Sequence, residues 1–178
     1  LVKTIADESE IPVIMHLDGI CHVFVDASAD PAMAEAIAVN AKAQRPGTCN
    51  AMETLLVHEE IAPSFLPRCF KALAKAGVEL RGCARTLSLV KSKQAQFKGV
   101  KVAPATEEDW ATEYLDLILS VRIVKGIDEA IRHIATYSSK HTDAIVTRDV
   151  FSAERFRTEV DSASVMVNAS TRLADGFE

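Results

Sequence analysis

The 178-residue sequence lacks several common signatures, and each absence removes a class of function. Its seven glycines form neither G-x-G-x-x-G nor G-x-x-x-x-G-K, so no phosphate-cradling loop is encoded. Cys21, Cys49, Cys69 and Cys83 stand at irregular spacings with no C-x-x-C pair. Neither a disulfide framework nor a zinc knuckle is signalled, and reduced thiols are expected. No apolar run approaches the roughly 18 residues that would cross a bilayer. A net charge of −5 without a basic cluster argues against a nucleic-acid partner. A charged segment followed by an apolar signal region is missing, and the first residue is Leu1, not Met; the chain reads as a cytoplasmic piece of something larger. His16, Cys21 and His22 have no fourth ligand at a suitable spacing, and neighbouring strand residues point to opposite faces, so no metal is expected.

What is present suits one soluble domain with a sizeable core: 48% hydrophobic and 25% charged residues. Ile11–Met15 and Cys21–Val25 read as short strands around an Asp18-Gly19 turn. Asp30 and Pro31 mark a helix start, with Ala34, Ile37, Ala38 and Ala41 at helical spacing. Residues 53–57 read as a strand. A helix opening at Pro63 places Leu66, Cys69, Phe70 and Leu73 on one stripe and ends near Gly77. Val78–Leu80 suggests a further strand. Residues 81–99 are polar, rich in lysine and weakly patterned, which predicts a peripheral, mobile stretch. Thr106–Asp109 resembles a helix start, and Leu115–Val124 a buried strand. From Gly126 onward strands and helices alternate as far as Val167. Such alternation predicts an α/β fold with a mostly parallel sheet covered on both faces.

One thiol stands out by its setting. Cys49 lies in Arg45-Pro46-Gly47-Thr48-Cys49-Asn50, between a helix and a strand, where a turn or short helix start presents its side chain. A cysteine nucleophile works as the thiolate, which backbone N–H groups at such a place can stabilise. Free cysteine is also among the most buried residue types, so an inert thiol in a non-catalytic α/β binding module is the competing reading. Glu113 precedes a buried strand, where its carboxylate could accept hydrogen bonds from sugar hydroxyls or merely be solvated. His58, His133 and His141 fall near helix ends and read as solvated or capping residues. Asn168, Ser170, Thr171 and Arg172 form a polar cluster after the last strand, suited to a charged small substrate or to satisfying the loop itself.

Three segments in fixed order carry a family likeness: Met15–Val23, Ala43–Thr54, and Asp161–Gly176 with its Val167-Asn168-Ala169-Ser170-Thr171-Arg172. Together they resemble the γ-glutamyl phosphate reductases (glutamate-5-semialdehyde dehydrogenases) of the aldehyde dehydrogenase superfamily, over essentially the whole chain. The resemblance implies that residues 1–178 are the three-layer αβα catalytic domain of that fold without its cofactor domain. Residues 1 to about 15 would be the end of the cofactor domain, and 168–178 the crossing back toward it. It further implies a Cys49 thioester, reduction of L-glutamyl 5-phosphate by NADPH, Glu113 on the nicotinamide-side ribose, and a homo-oligomeric parent. His16 and Asn50 would line the active site. His16 occupies the position of a glutamate that activates water in the superfamily's oxidising members, a departure that suits an enzyme that must not hydrolyse its thioester. Another member of the superfamily remains the alternative. With the cofactor domain elsewhere, this stretch by itself is expected to be inactive.

Overall fold

The computed structural model describes residues 2–13 and 18–175. Its strands are β1 Cys21–Val25, β2 Met52–His58, β3 Glu79–Gly82, β4 Val102–Pro104, β5 Ile118–Val124, β6 Thr142–Val146 and β7 Ser164–Val167. Its helices are α1 Val2–Glu8, α2 Pro31–Ala43, α3 Ala62–Lys75, α4 Ala84–Ser92, α5 Ile127–Tyr137 and α6 Val150–Glu159. The strands form one sheet in the order β4-β3-β5-β2-β1-β6-β7, every neighbouring pair parallel. Helices α2 and α3 cover one face through Ala34, Ala38, Phe65, Leu66 and Phe70; α5 and α6 cover the other through Ala130, Ile134 and Phe156. The result is the three-layer α/β architecture expected. With both faces covered, β1, β2 and β6 carry almost unbroken buried runs and no alternation of polar and apolar residues. No helix of the described residues is long and apolar enough to cross a membrane.

Local chemistry explains the helix boundaries. The Asp30 carboxylate accepts the N–H groups of Ala32 and Met33 at 2.9 Å each, capping α2 just before Pro31. Gly77 ends the turn after α3 at φ +84°, a conformation L side chains rarely adopt. Inside α3, Pro67 has no N–H to offer the Pro63 carbonyl, and Lys93 Nζ donates to that oxygen at 3.3 Å.

Four expectations change. Ile11–Val13 carry no strand pairing; Ile14–Leu17, including His16, lie outside the described residues. The 81–99 stretch is not irregular. It contains α4, and Phe97 is buried with its ring 5.7 Å from that of Phe70. The apolar side of α4 rests on Leu89 and Val90 alone, too short a stripe to stand out among lysines. Thr106–Asp109 does not open an α-helix: Asp109 accepts from Thr106 N–H and Oγ1 at 2.6 and 2.9 Å, pairs with Arg81 at 2.7 Å, and only a 3-10 turn follows. His133 is neither solvated nor a cap. It is 5% exposed, packed among the rings of His22, Trp110 and Tyr137.

That burial has a pH consequence. Desolvation, with the charges of His22 and Arg122 adding to it, pushes the His133 pKa down to about 2. The folded state therefore keeps this ring neutral where the unfolded chain protonates it, below about pH 6.5. Stability contributed here is fully present above pH 6.5 and is lost as pH falls, by about 1.4 kcal/mol per unit. In urea titrations, His133→Phe should lose about 2 kcal/mol less than wild type between pH 6.5 and 5.0. Equal losses in the two proteins would contradict the assignment.

Candidate active site around Cys49

The Cys49 side chain is exposed at the amino edge of the sheet, where the neighbouring central strands β5, β2 and β1 begin. Cys21 is level with Met52, and Thr54 with Ser120, so three strand-entry loops converge there. Helix α2 closes at Ala43, and Arg45 is disfavoured in helix because Pro46 follows it. The chain then folds tightly. Thr48 donates to the Arg45 carbonyl from its N–H at 3.3 Å and its hydroxyl at 2.8 Å, and Ala51 N–H bonds the Thr48 carbonyl at 2.9 Å. Cys49 and Asn50 are thus the two central residues of a four-residue turn. The Cys49 N–H makes no hydrogen bond among the described residues.

Three contacts hold this turn from outside. The Gly19 backbone presses against it so closely that a Cβ there would lie 2.1 Å from the Cys49 carbonyl oxygen and 2.4 Å from its Cα. The Cys21 thiol donates to the same carbonyl at 3.3 Å. Burial, reinforced by the Asp143 charge, raises the Cys21 pKa far above its ordinary value, which keeps the S–H a donor. From the other side, Arg172 Nη1 reaches Thr48 Oγ1 at 3.1 Å and Asn50 Oδ1, and pairs with Asp175 at 3.0 Å.

Beneath the loop, Lys42 in the last turn of α2 donates to Glu53 in β2 at 2.6 Å, both side chains fully buried. Burial pushes Glu53 up to about 7 against the attraction of Lys42, and lowers Lys42. The pair ties together the two elements that flank the turn; removing one partner would leave a buried charge uncompensated, at about 3–5 kcal/mol. Lys42 Nζ also sits 5.7 Å from the Tyr114 ring centroid. Glu113, half-buried, acts on both Lys42 and Glu53 through its charge, and its carboxylate makes no hydrogen bond among the described residues. The segment after it comes close to the turn: a Cβ on Gly47 would be 3.8 Å from the Leu115 carbonyl.

The expected polar cluster divides. Asn168 stays at the opposite end of the sheet, where its amide both accepts from Thr147 N–H and donates to Thr147 O at 2.9 Å. Ser170, Thr171 and Arg172 are buried in a stretch that returns over β1, β6 and α2 toward the Cys49 turn. None of the four offers an open polar side chain, because backbone and loop partners or close packing occupy them. Asn50 is fully buried beneath Cys49, held by Arg172. Gly19, Lys42 and Glu53 were missed in the sequence. A signal for two of them exists: Lys42 continues the spacing of Ala34 and Ala38, and Glu53 interrupts an apolar strand, so each buried charge calls for the other. Among the described residues no three His, Cys, Asp or Glu side chains gather as a metal-binding group.

No family model matches the chain. Along all 178 residues it is 56% identical to the γ-glutamyl phosphate reductase of Caldicellulosiruptor bescii, covering 41% of that protein. It superposes on 40% of the crystal structure of the γ-glutamyl phosphate reductase of Thermotoga maritima with a TM-score of 0.91, 49% identity and 99% of this chain matched. An acetylating aldehyde dehydrogenase of Geobacillus thermoglucosidasius shares the fold at a TM-score of 0.73 and 21% identity, over 97% of this chain and 45% of that one. The chain thus spans about two fifths of the length of the curated relatives it matches, and resembles γ-glutamyl phosphate reductases throughout that span.

Proposed function

We propose that this chain, similar to γ-glutamyl phosphate reductases from its first residue to its last, is the nucleophile-bearing domain of an enzyme that converts L-glutamyl 5-phosphate to L-glutamate 5-semialdehyde and phosphate in proline biosynthesis. The observation that carries this reading is the exposed Cys49 thiol in a braced turn whose own N–H is unpaired among the described residues. The thiolate attacks the γ-carbonyl carbon, and the negative charge that develops on the carbonyl oxygen falls to the Cys49 N–H. The C–S bond forms as the phosphate leaves, giving a thioester. NADPH, when bound, supplies the hydride that reduces this thioester. Cys49 then departs as thiolate as the aldehyde carbonyl re-forms.

Glu113 fits a cofactor role because its two carboxylate oxygens are unused among the described residues and lie on the segment beside the turn, suited to accept from ribose hydroxyls. The rest of the cofactor requires residues outside this chain, which has no dinucleotide-binding glycine motif. Residues up to about 15 and from 168 onward would be the crossings to that region. A cytoplasmic, homo-oligomeric parent accords with the reading.

In the full-length protein, L-glutamyl 5-phosphate without NADPH should place a glutamyl adduct on the Cys49 peptide by mass spectrometry; an adduct on another residue, or none, would sink the proposal. The 178-residue chain should show no turnover and very weak NADPH binding by calorimetry. Iodoacetamide should label its Cys49 ahead of Cys21, Cys69 and Cys83. For Glu113→Gln in the full-length protein, the NADPH KM should rise about 5- to 30-fold, the equivalent of one charge-assisted hydrogen bond, with kcat retained. An unchanged KM with a collapsed kcat would move Glu113 into the chemical step.

A further inference from the structure

We infer that Arg172 is a positioning residue for Cys49 and not a ligand for substrate, an inference that rests on Cys49 being the nucleophile. Its side chain is 3% exposed, and its Nε has no contact with solvent. What the guanidinium touches are Thr48 Oγ1 and Asn50 Oδ1, the residues on either side of Cys49, from more than 120 positions away in sequence. Asp175, one turn further along, holds the same Nη1 at 3.0 Å and fixes Arg172 to its own 3-10 turn. That turn is itself seated by the fully buried Thr171.

Among the described residues Arg172 Nε and Asn50 Nδ2 are buried without partners, so the Asn50 amide is fastened through its oxygen alone, by Arg172 and by the Thr48 hydroxyl at 3.2 Å. Without Arg172, the buried Asn50 amide would keep only the Thr48 hydroxyl, whose one proton is shared with the Arg45 carbonyl. The turn would then settle elsewhere, carrying the Cys49 sulfur and N–H with it. All three contacts fall on Nη1, one bond farther from the backbone than a lysine ammonium reaches, so lysine would meet them only if the turn shifted. Gly19 and Cys21 grip the Cys49 carbonyl; Arg172 grips the side chains on both sides of it. Misplacing a reacting group by about 1 Å costs on the order of 10²-fold in rate, and that loss appears in the chemical step, not in affinity.

The test compares Arg172→Ala, Arg172→Lys and Asn50→Ala in the full-length protein. Arg172→Ala should lower kcat about 100-fold while the KM for L-glutamyl 5-phosphate stays within about twofold. Adding Asn50→Ala to it should cost little more, because both changes cut the same connection. Arg172→Lys should recover only a small part of kcat, and methylguanidine added to Arg172→Ala should recover more. A tenfold rise in KM with kcat unchanged would overturn the inference and make Arg172 a substrate ligand. If Arg172→Ala fails to fold, Arg172→Lys carries the same comparison of KM with kcat. Should the wild-type protein show no reductase activity, the proposed function fails separately. The clamp is then read from iodoacetamide labelling of Cys49, whose rate should differ between wild type and Arg172→Lys; an identical rate would overturn it.

Discussion

Replacing Cys49 by alanine or serine should abolish reduction of L-glutamyl 5-phosphate by the full-length protein, with kcat falling by at least about 10⁴-fold and NADPH affinity within twofold of wild type. The effect is expected to be this large because no other thiol of this chain can take over. Cys21 and Cys69 are fully buried, and burial holds both in the protonated form. Cys83 lies beyond the carboxyl end of β3, at the opposite edge of the sheet from Cys49. Cys69→Ala should cost only the packing of a core side chain. Stopped-flow detection of NADPH oxidation decides the matter, and appreciable turnover by Cys49→Ala would remove the residue from the chemistry.

Gly19→Ala should come close to that effect without touching a reactive group. Its Cβ would fall 2.1 Å from the Cys49 carbonyl oxygen, 2.4 Å from the Cα and 2.5 Å from the carbonyl carbon, all backbone atoms that no rotamer change can move aside. Relief requires the two backbones to part by about 1 Å, which implies a loss on the order of 10²-fold in kcat and about 1–3 kcal/mol in stability. Gly47→Ala is the control within the same loop: the nearest atom to its Cβ is 3.8 Å away, an ordinary contact, so kcat should stay within a few-fold. Thermal unfolding and kcat measured on both variants test this. A Gly19→Ala protein with wild-type kcat would show that the approach of the two backbones plays no part in presenting the thiol.

Periodicity and capping were enough to read most of the architecture. Asp30-Pro31 and the Ala34, Ile37, Ala38, Ala41 spacing located α2, and the alternation after Gly126 gave the parallel sheet, because these signals lie within a few residues of one another. The local setting of Cys49 was legible for the same reason: the residue before a proline is biased out of the helical region, and here α2 closes at Ala43, two residues before Arg45-Pro46. What escaped depends on long-range contact. Gly19 reads as half of an Asp-Gly turn until Cys49 is brought against it, and Cys21 reads as a core thiol until the Cys49 carbonyl stands 3.3 Å away. Asn168 and Arg172 look like one cluster in sequence, yet the chain reverses between them and spends each side chain at a different end of the sheet. His133 was misplaced because its aromatic neighbours come from β1, the 108–111 turn and α5 itself, and one helix's periodicity shows none of the others.

The position of Cys49 at the amino edge settles which end of α2 faces the chemistry. Parallel α/β sheets commonly bind anions beyond the carboxyl ends of their strands, where helices begin and their dipoles present partial positive charge. Helix α2 instead arrives at Cys49 with its carboxyl end, and its last carbonyls bring partial negative charge toward the loop that, in the proposed reaction, would host an oxyanion and a departing phosphate. The helix field is adverse there. The cations near the loop, Lys42 in the last turn of α2 and Arg172 from the far end of the sequence, are each already matched by a carboxylate, Glu53 and Asp175. The charge balance at this edge therefore rests on individual ion pairs, which makes it more exposed to single substitutions than a backbone dipole would be.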